Sequence, residues 1–152
     1  MAEGESSFSE ITENVRSSSL TGLGLRQFAM EQLQGLGDYD WSGIYRLEGD
    51  TLILDAYCGA PTDHTHIPVG RGVCGTAVAK NQNQVVADVR DLENYLACSL
   101  ETRSEIVVLI RRGSEILGQI DIDGHRVNAF TRADEEFLEG IAEILAAKWE
   151  GE

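Results

Sequence analysis

Basic residues are scarce in this chain: 12 lysines and arginines stand against 26 aspartates and glutamates, for a formal net charge of -14. A surface of that sign repels phosphate backbones and anionic lipid headgroups, so nucleic acid and membrane surfaces are poor partners. Long apolar runs are missing as well, and nothing approaches the roughly 18 apolar residues of a membrane span. The opening residues MAEGESSFSE carry neither the basic nor the apolar region of a secretory signal. Cysteine is limited to Cys58, Cys74 and Cys98, an odd number without the spacing of a small disulfide scaffold. These gaps lead us to expect a cytoplasmic protein with reduced thiols. Also absent are a Walker Gly-Lys-Ser/Thr, a G-x-S-x-G elbow, an H-E-x-x-H helix and a calcium loop.

What is present is the makeup of one globular domain: 152 residues, 42% of them hydrophobic. Residues 1–17 are polar and Ser-rich and read as a flexible lead-in to a single domain over 18–152. Leu20, Leu23, Phe28 and Leu36 suggest an amphipathic helix from Ser18 to Leu36, weakened by Gly22 and Gly24. Alternation from Trp41 to Leu47, a Glu48-Gly49-Asp50 turn and a return run from Thr51 to Tyr57 predict a hairpin. Short elements follow: an extended piece at 67–69, two helical turns from Cys74 to Lys80, and a strand at Val85-Val86. A second hairpin pairs Glu105–Arg111 with Glu115–Asp123. Thr131 and Asp134 have capping-box spacing ahead of a helical stripe of Phe137, Leu138, Ile141, Ile144, Leu145 and Trp149. Helix, hairpin, short helix, hairpin, helix gives an α+β class, an antiparallel sheet covered by terminal helices.

Gly70-Arg71-Gly72-Val73-Cys74-Gly75 matches the dinucleotide pattern G-x-G-x-x-G. That motif needs a buried strand before it and a full helix after it. Here the polar DHTHIP precedes it and the helix gives out by Asn81. The glycines therefore read as a turn that brings Cys74 to a short helix N-terminus, where backbone N–H groups favour a thiolate. Cys98, in the polar stretch ENYLACSLETRSE, is either a reactive thiol or a small packing residue, and Cys58 reads more plainly as packing. In GQIDIDG the Asp121 and Asp123 carboxylates share one strand face while Ile120 and Ile122 take the other. Joined by Glu105 in a closed pocket, such carboxylates hold a proton ready for donation or bind an ammonium group. His64 and His66 could be grouped with Cys74 and Cys58 as zinc ligands, but the spacing fits no common zinc signature and no metal is expected.

The blocks WSGIYRLEGDTLIL, IPVGRGVCGTAVA, LACSLETRSEIVVLI and LGQIDID resemble the free methionine-(R)-sulfoxide reductases, a branch of the GAF-domain superfamily. The resemblance runs from Trp41 to the C-terminal helix. It implies a GAF-like six-stranded antiparallel sheet with N- and C-terminal helices packed on one face. It also implies a homodimer paired through the terminal helices, and reduction of free methionine-(R)-sulfoxide. Position by position, Cys98 matches the nucleophile and Cys74 another motif cysteine. Glu105, Asp121 and Asp123 match acids that bind the substrate amine or sulfoxide oxygen, and Trp41 and Tyr45 match pocket aromatics. No bound cofactor is implied, and thioredoxin or another dithiol is the expected reductant. Where the family carries a third cysteine, four residues before the proline of I-P-V-G-R-G, this chain has His64; Leu109 stands where a proline is common. The first departure bears on recycling, for which Cys74, Cys58 or an external thiol are alternatives. A different class of reading is a GAF sensor that binds a small ligand without chemistry.

The reductase reading carries an expectation about charge. Three carboxylates around a thiol site oppose thiolate formation, so at least one of them must be neutral or backbone dipoles must compensate.

Overall fold

The computed structural model describes residues 3–92 and 101–150 of the chain. Cys98 lies outside the described residues. Four helices, α1 (Glu3–Ser17), α2 (Gly22–Leu33), α3 (Gly72–Lys80) and α4 (Arg132–Ala147), accompany six strands. The strands are β1 (Trp41–Glu48), β2 (Thr51–Cys58), β3 (His66–Pro68), β4 (Gln84–Val86), β5 (Ser104–Arg112) and β6 (Glu115–Gly124). Every pairing is antiparallel, in the order β3-β2-β1-β6-β5-β4. The two hairpins read from alternation are β1–β2 and β5–β6, and β1 pairs with β6 to join them at the centre.

Strand alternation divides the interior into two cores, one on each side of the sheet. The larger packs Ile44, Ile106, Val108, Ile110, Ile120 and Ile122 of the strands against Leu25, Met30, Leu33, Leu138, Ile141 and Leu145 of α2 and α4. The smaller gathers Trp41, Tyr45, Leu52, Val107 and Leu109 with Val73, Cys74 and Ala77 of α3. Thus Ile120 and Ile122 face a core as expected. The face of Asp121 and Asp123 is equally closed to solvent, because α3 covers it.

One irregularity sets the faces of β2. The β1–β2 register shifts between Ile44 and Tyr45, leaving Asp55 as the additional residue on β2. A bulge of this kind changes the phase of alternation: Leu52 belongs to the smaller core, whereas Ala56 belongs to the larger. Asp55 meets Arg26 of α2, whose Nε lies 2.6 Å from its Oδ2. The same guanidinium donates to the carbonyl of Trp149 and lies over that indole ring, 4.1 Å from its centroid.

Residues 1–17 differ from the expected lead-in. Over Glu3–Ser17 they form α1, with Ile11 and Val15 buried in the larger core. Phe8 stacks on Phe137 of α4 with ring centroids 4.2 Å apart. Phe8, Ile11, Thr12 and Val15 recur at helical spacing, a narrow stripe hidden by the polar residues between them. The domain therefore begins within α1, not at residue 18. In α4 the expected capping box is in place, with the Thr131 N–H donating to Asp134 Oδ2 at 2.8 Å. Asp134 also accepts from the Tyr39 hydroxyl at 2.7 Å, which ties the β1 approach to the helix start.

Candidate active site

The glycine-rich segment is the turn between β3 and α3. Gly70 and Gly72 adopt φ of 95° and 67°, the left-handed region that glycine enters without strain. Gly75 allows a close approach, since a Cβ there would lie 2.6 Å from the Pro68 carbonyl oxygen. The Gly70 N–H donates to the Gly75 carbonyl at 2.9 Å, closing the turn on itself. No nucleotide geometry is involved: β3 is a three-residue strand at the edge of an antiparallel sheet. The turn instead places Cys74 in the first helical turn, buried and facing the sheet.

Opposite Cys74 stand the acids. Register pairs Glu105 with Asp123 across β5 and β6, and Asp123 with Trp41 across β6 and β1. Asp121, two residues along β6 on the same face, pairs with Gly43. A Cβ at Gly43 would collide with the Trp41 ring at 2.3 Å, so the indole lies flat across this glycine. The Cys74 thiol is 3.9 Å from Glu105 Oε2, within reach for a sulfur donor. Donor atoms of Cys74, Glu105 and Asp121 all fall within 4.8 Å of one another. Gln119, one further step along β6, donates to the Cys74 carbonyl at 3.0 Å and fixes the helix over the acids.

Burial governs the charge state of this cluster. It pushes the Glu105 carboxyl well above its ordinary 4.5, and the charges of Asp121 and Asp123 and hydrogen bonds with both raise it further. Asp121 is raised by burial too, offset by hydrogen bonds from Glu105 and Cys74. Of the two, Glu105 is the carboxyl driven more strongly toward its neutral form, the direction the charge argument asks for.

A small pocket of about 120 Å³ opens at one end of this face, lined by Asp40, Trp41, Ala60, Pro61, Thr62, Glu101, Thr102, Asp123 and His125. Of the residues singled out by sequence, Trp41 and Asp123 line it directly. Glu105, Asp121 and Cys74 continue the same face beyond Asp123. Tyr45 shares the face but is fully buried, its hydroxyl donating to the His64 carbonyl at 2.8 Å, and is not among the lining residues. Trp41 is pinned by its indole N–H to the Ala60 carbonyl at 2.9 Å.

The grouping of His64, His66, Cys74 and Cys58 does not form. Cys58 packs against the helical core, across the sheet from Cys74, and its thiol donates to Gln34 Oε1. Burial and the nearby Glu31 push that thiol up, away from reactivity. Sequence reasoning did not find Asp40, Glu101, Thr102 or His125. Asp40 directly precedes Trp41 and His125 closely follows GQIDIDG, so adjacency to recognised blocks was the available signal.

The GAF domain family matches residues 26–149. Free methionine-R-sulfoxide reductase of Escherichia coli is 42% identical over 111 residues, spanning 73% of this chain and 65% of that protein. The structure of free methionine-R-sulfoxide reductase from Neisseria meningitidis, in complex with its substrate, superposes with a TM-score of 0.91 at 30% identity. It covers 98% of this chain and 92% of that one. The type II free methionine-R-sulfoxide reductase of Thermoplasma acidophilum gives 0.80 at 38% identity, covering 91% and 94%.

Proposed function

Because the chain belongs to the GAF-domain family, within its free methionine-R-sulfoxide reductase branch, we propose that it reduces free methionine-(R)-sulfoxide to methionine. The observation that carries this reading is the buried acid cluster: Glu105, its carboxyl pushed up by burial, grouped with Asp121 and Asp123 next to a small pocket lined by Trp41. A sulfoxide oxygen leaves only when it is protonated, so the reaction needs a thiolate on one side and an acid on the other.

In this scheme the Cys98 thiolate attacks the substrate sulfur and Glu105 protonates the sulfoxide oxygen. The substrate sulfur–oxygen bond then breaks as the hydroxyl transfers to the Cys98 sulfur and the transient sulfur–sulfur bond opens, giving methionine and a sulfenic acid. The Cys74 thiol then condenses with the sulfenic acid, releasing water and forming a disulfide. A thioredoxin-like dithiol returns both thiols by exchange, supplying the two electrons. Cys98 stands three positions before Glu101, which lines the pocket, and Cys74 already touches the acid cluster. Cys74 thus suits the resolving role better than Cys58, which lies on the opposite face of the sheet. Asp123 serves the substrate ammonium, and Trp41 packs against its methyl-sulfur end. A cytoplasmic setting, where dithiol reductants abound, accords with reduced cysteines. A homodimer is part of this reading, with the groove between α1 and α4 around Phe8 and Phe137 as its surface.

The sensor reading loses ground because a ligand-binding module has no need of a buried, proton-holding carboxyl beside a thiol. The test is a Cys74→Ser variant followed with a stoichiometric amount of substrate. It is expected to release one methionine per chain and then stop with thioredoxin as reductant. Undiminished cycling with thioredoxin would remove Cys74 from the resolving step.

A further inference from the structure

The pocket lining poses a charge problem that the acid cluster does not solve. A free amino acid brings an α-carboxylate as well as an ammonium, and Asp40, Glu101 and Asp123 all line the cavity. Three carboxylates attract the ammonium and repel the carboxylate. Binding of the zwitterion therefore requires donors placed for the anionic end. No lysine or arginine is among the lining residues. The indole N–H of Trp41 is already given to the Ala60 carbonyl.

Among the described residues two lining groups carry the argument. His125 sits at the rim with its Nδ1 edge turned to acids, 3.4 Å from Glu101 Oε2 and 3.8 Å from Asp40 Oδ1. Its own backbone N–H donates to Asp40 Oδ2 at 2.8 Å, so the ring is anchored at both main chain and side chain. With Nδ1 turned to the acids, the Nε2 edge is the one left to face a ligand, and it donates when the ring carries both protons. Independently, the Thr102 hydroxyl is almost wholly buried, lines the same pocket, and has no hydrogen-bond partner. A buried hydroxyl left unmatched costs free energy, and a ligand oxygen arriving there would remove the cost.

We propose that His125 and Thr102, which line the same pocket as Asp123, form the subsite for the α-carboxylate of the substrate. This rests on the reading of the site as one for a free amino-acid sulfoxide. It assigns the rejection of peptide-bound methionine sulfoxide, which lacks the free carboxylate, to two residues outside the acid cluster. Asp40 and Glu101 act as positioning residues that hold the His125 ring.

The test is equilibrium binding of L-methionine-(R)-sulfoxide and of its α-carboxamide, followed by Trp41 fluorescence or calorimetry and kept separate from turnover. Wild type is expected to prefer the free acid by tenfold or more, on the order of one charge-assisted hydrogen bond. His125→Ala and Thr102→Val should each shrink that preference severalfold by weakening the acid and sparing the amide, while His125→Arg should retain it. An unchanged acid-to-amide ratio in both His125→Ala and Thr102→Val would overturn the subsite, as would wild type that binds neither ligand. Discriminating binding without any turnover would uphold the subsite and sink the reductase reading instead.

Discussion

At the scale of single residues the account turns on Glu105. Its carboxyl keeps a proton above its ordinary 4.5 because burial and two neighbouring aspartates penalise the charge. Glu105→Gln preserves shape and neutrality but cannot give up a proton. Turnover is expected to fall about 100- to 10,000-fold, the usual span for a general acid, with the fold intact. The same substitution tests the electrostatics. Between pH 4.5 and the raised native value the folded chain binds more protons than the unfolded chain, so stability falls as pH rises through that window. Asp121, raised by burial from 3.8, adds to the slope in the same direction. Urea unfolding across pH should show a flatter dependence in Glu105→Gln than in wild type. An equal slope would mean that Glu105 is ionised in the native state. The acids themselves were legible in GQIDIDG because strand periodicity places Asp121 and Asp123 on one face. Their burial was not, since it depends on α3 crossing that face from a distant part of the chain.

Elements were legible where the period is strong. The two hairpins and α4 with its capping box stand where alternation and the T-x-x-D signal placed them. The bulges were not visible: in TLILDAYC nothing local shows that Asp55 is an additional residue, because the reason is its tertiary pairing with Arg26. Likewise α1 was hidden by composition, since its apolar stripe is one residue wide and gains its stability from α4. Val15, fully buried, measures that packing. Val15→Ala should cost about 2 kcal/mol from lost burial and the residual cavity. It would appear as a lower urea midpoint, whereas an unchanged midpoint would return residues 3–17 to the status of a lead-in. The glycine-rich turn teaches the converse lesson. Its G-x-G-x-x-G pattern was best interpreted from its flanks, and Gly75 is required by the Pro68 carbonyl beside it, not by a phosphate.

The whole molecule separates labour across its sheet. One face supplies stability through three helices and the larger core; the other supplies chemistry, with a short helix and a turn closing over carboxylates whose charge that cover penalises. The net charge of -14 is in keeping with a small zwitterionic substrate and not with a polyanion. Among the described residues no helix is long and apolar enough to cross a membrane. The family likeness spans the sheet and both faces, which is why the fold was readable from sequence. The pocket rim at Asp40, Thr102 and His125 could be read only in three dimensions. The most direct test of the central claim is consumption of free L-methionine-(R)-sulfoxide with thioredoxin or dithiothreitol, wild type beside Cys98→Ser. The account predicts stoichiometric methionine release by wild type and none by the variant. Wild type that stays folded yet consumes no substrate with either reductant, or a Cys98→Ser variant that matches it, would contradict the account.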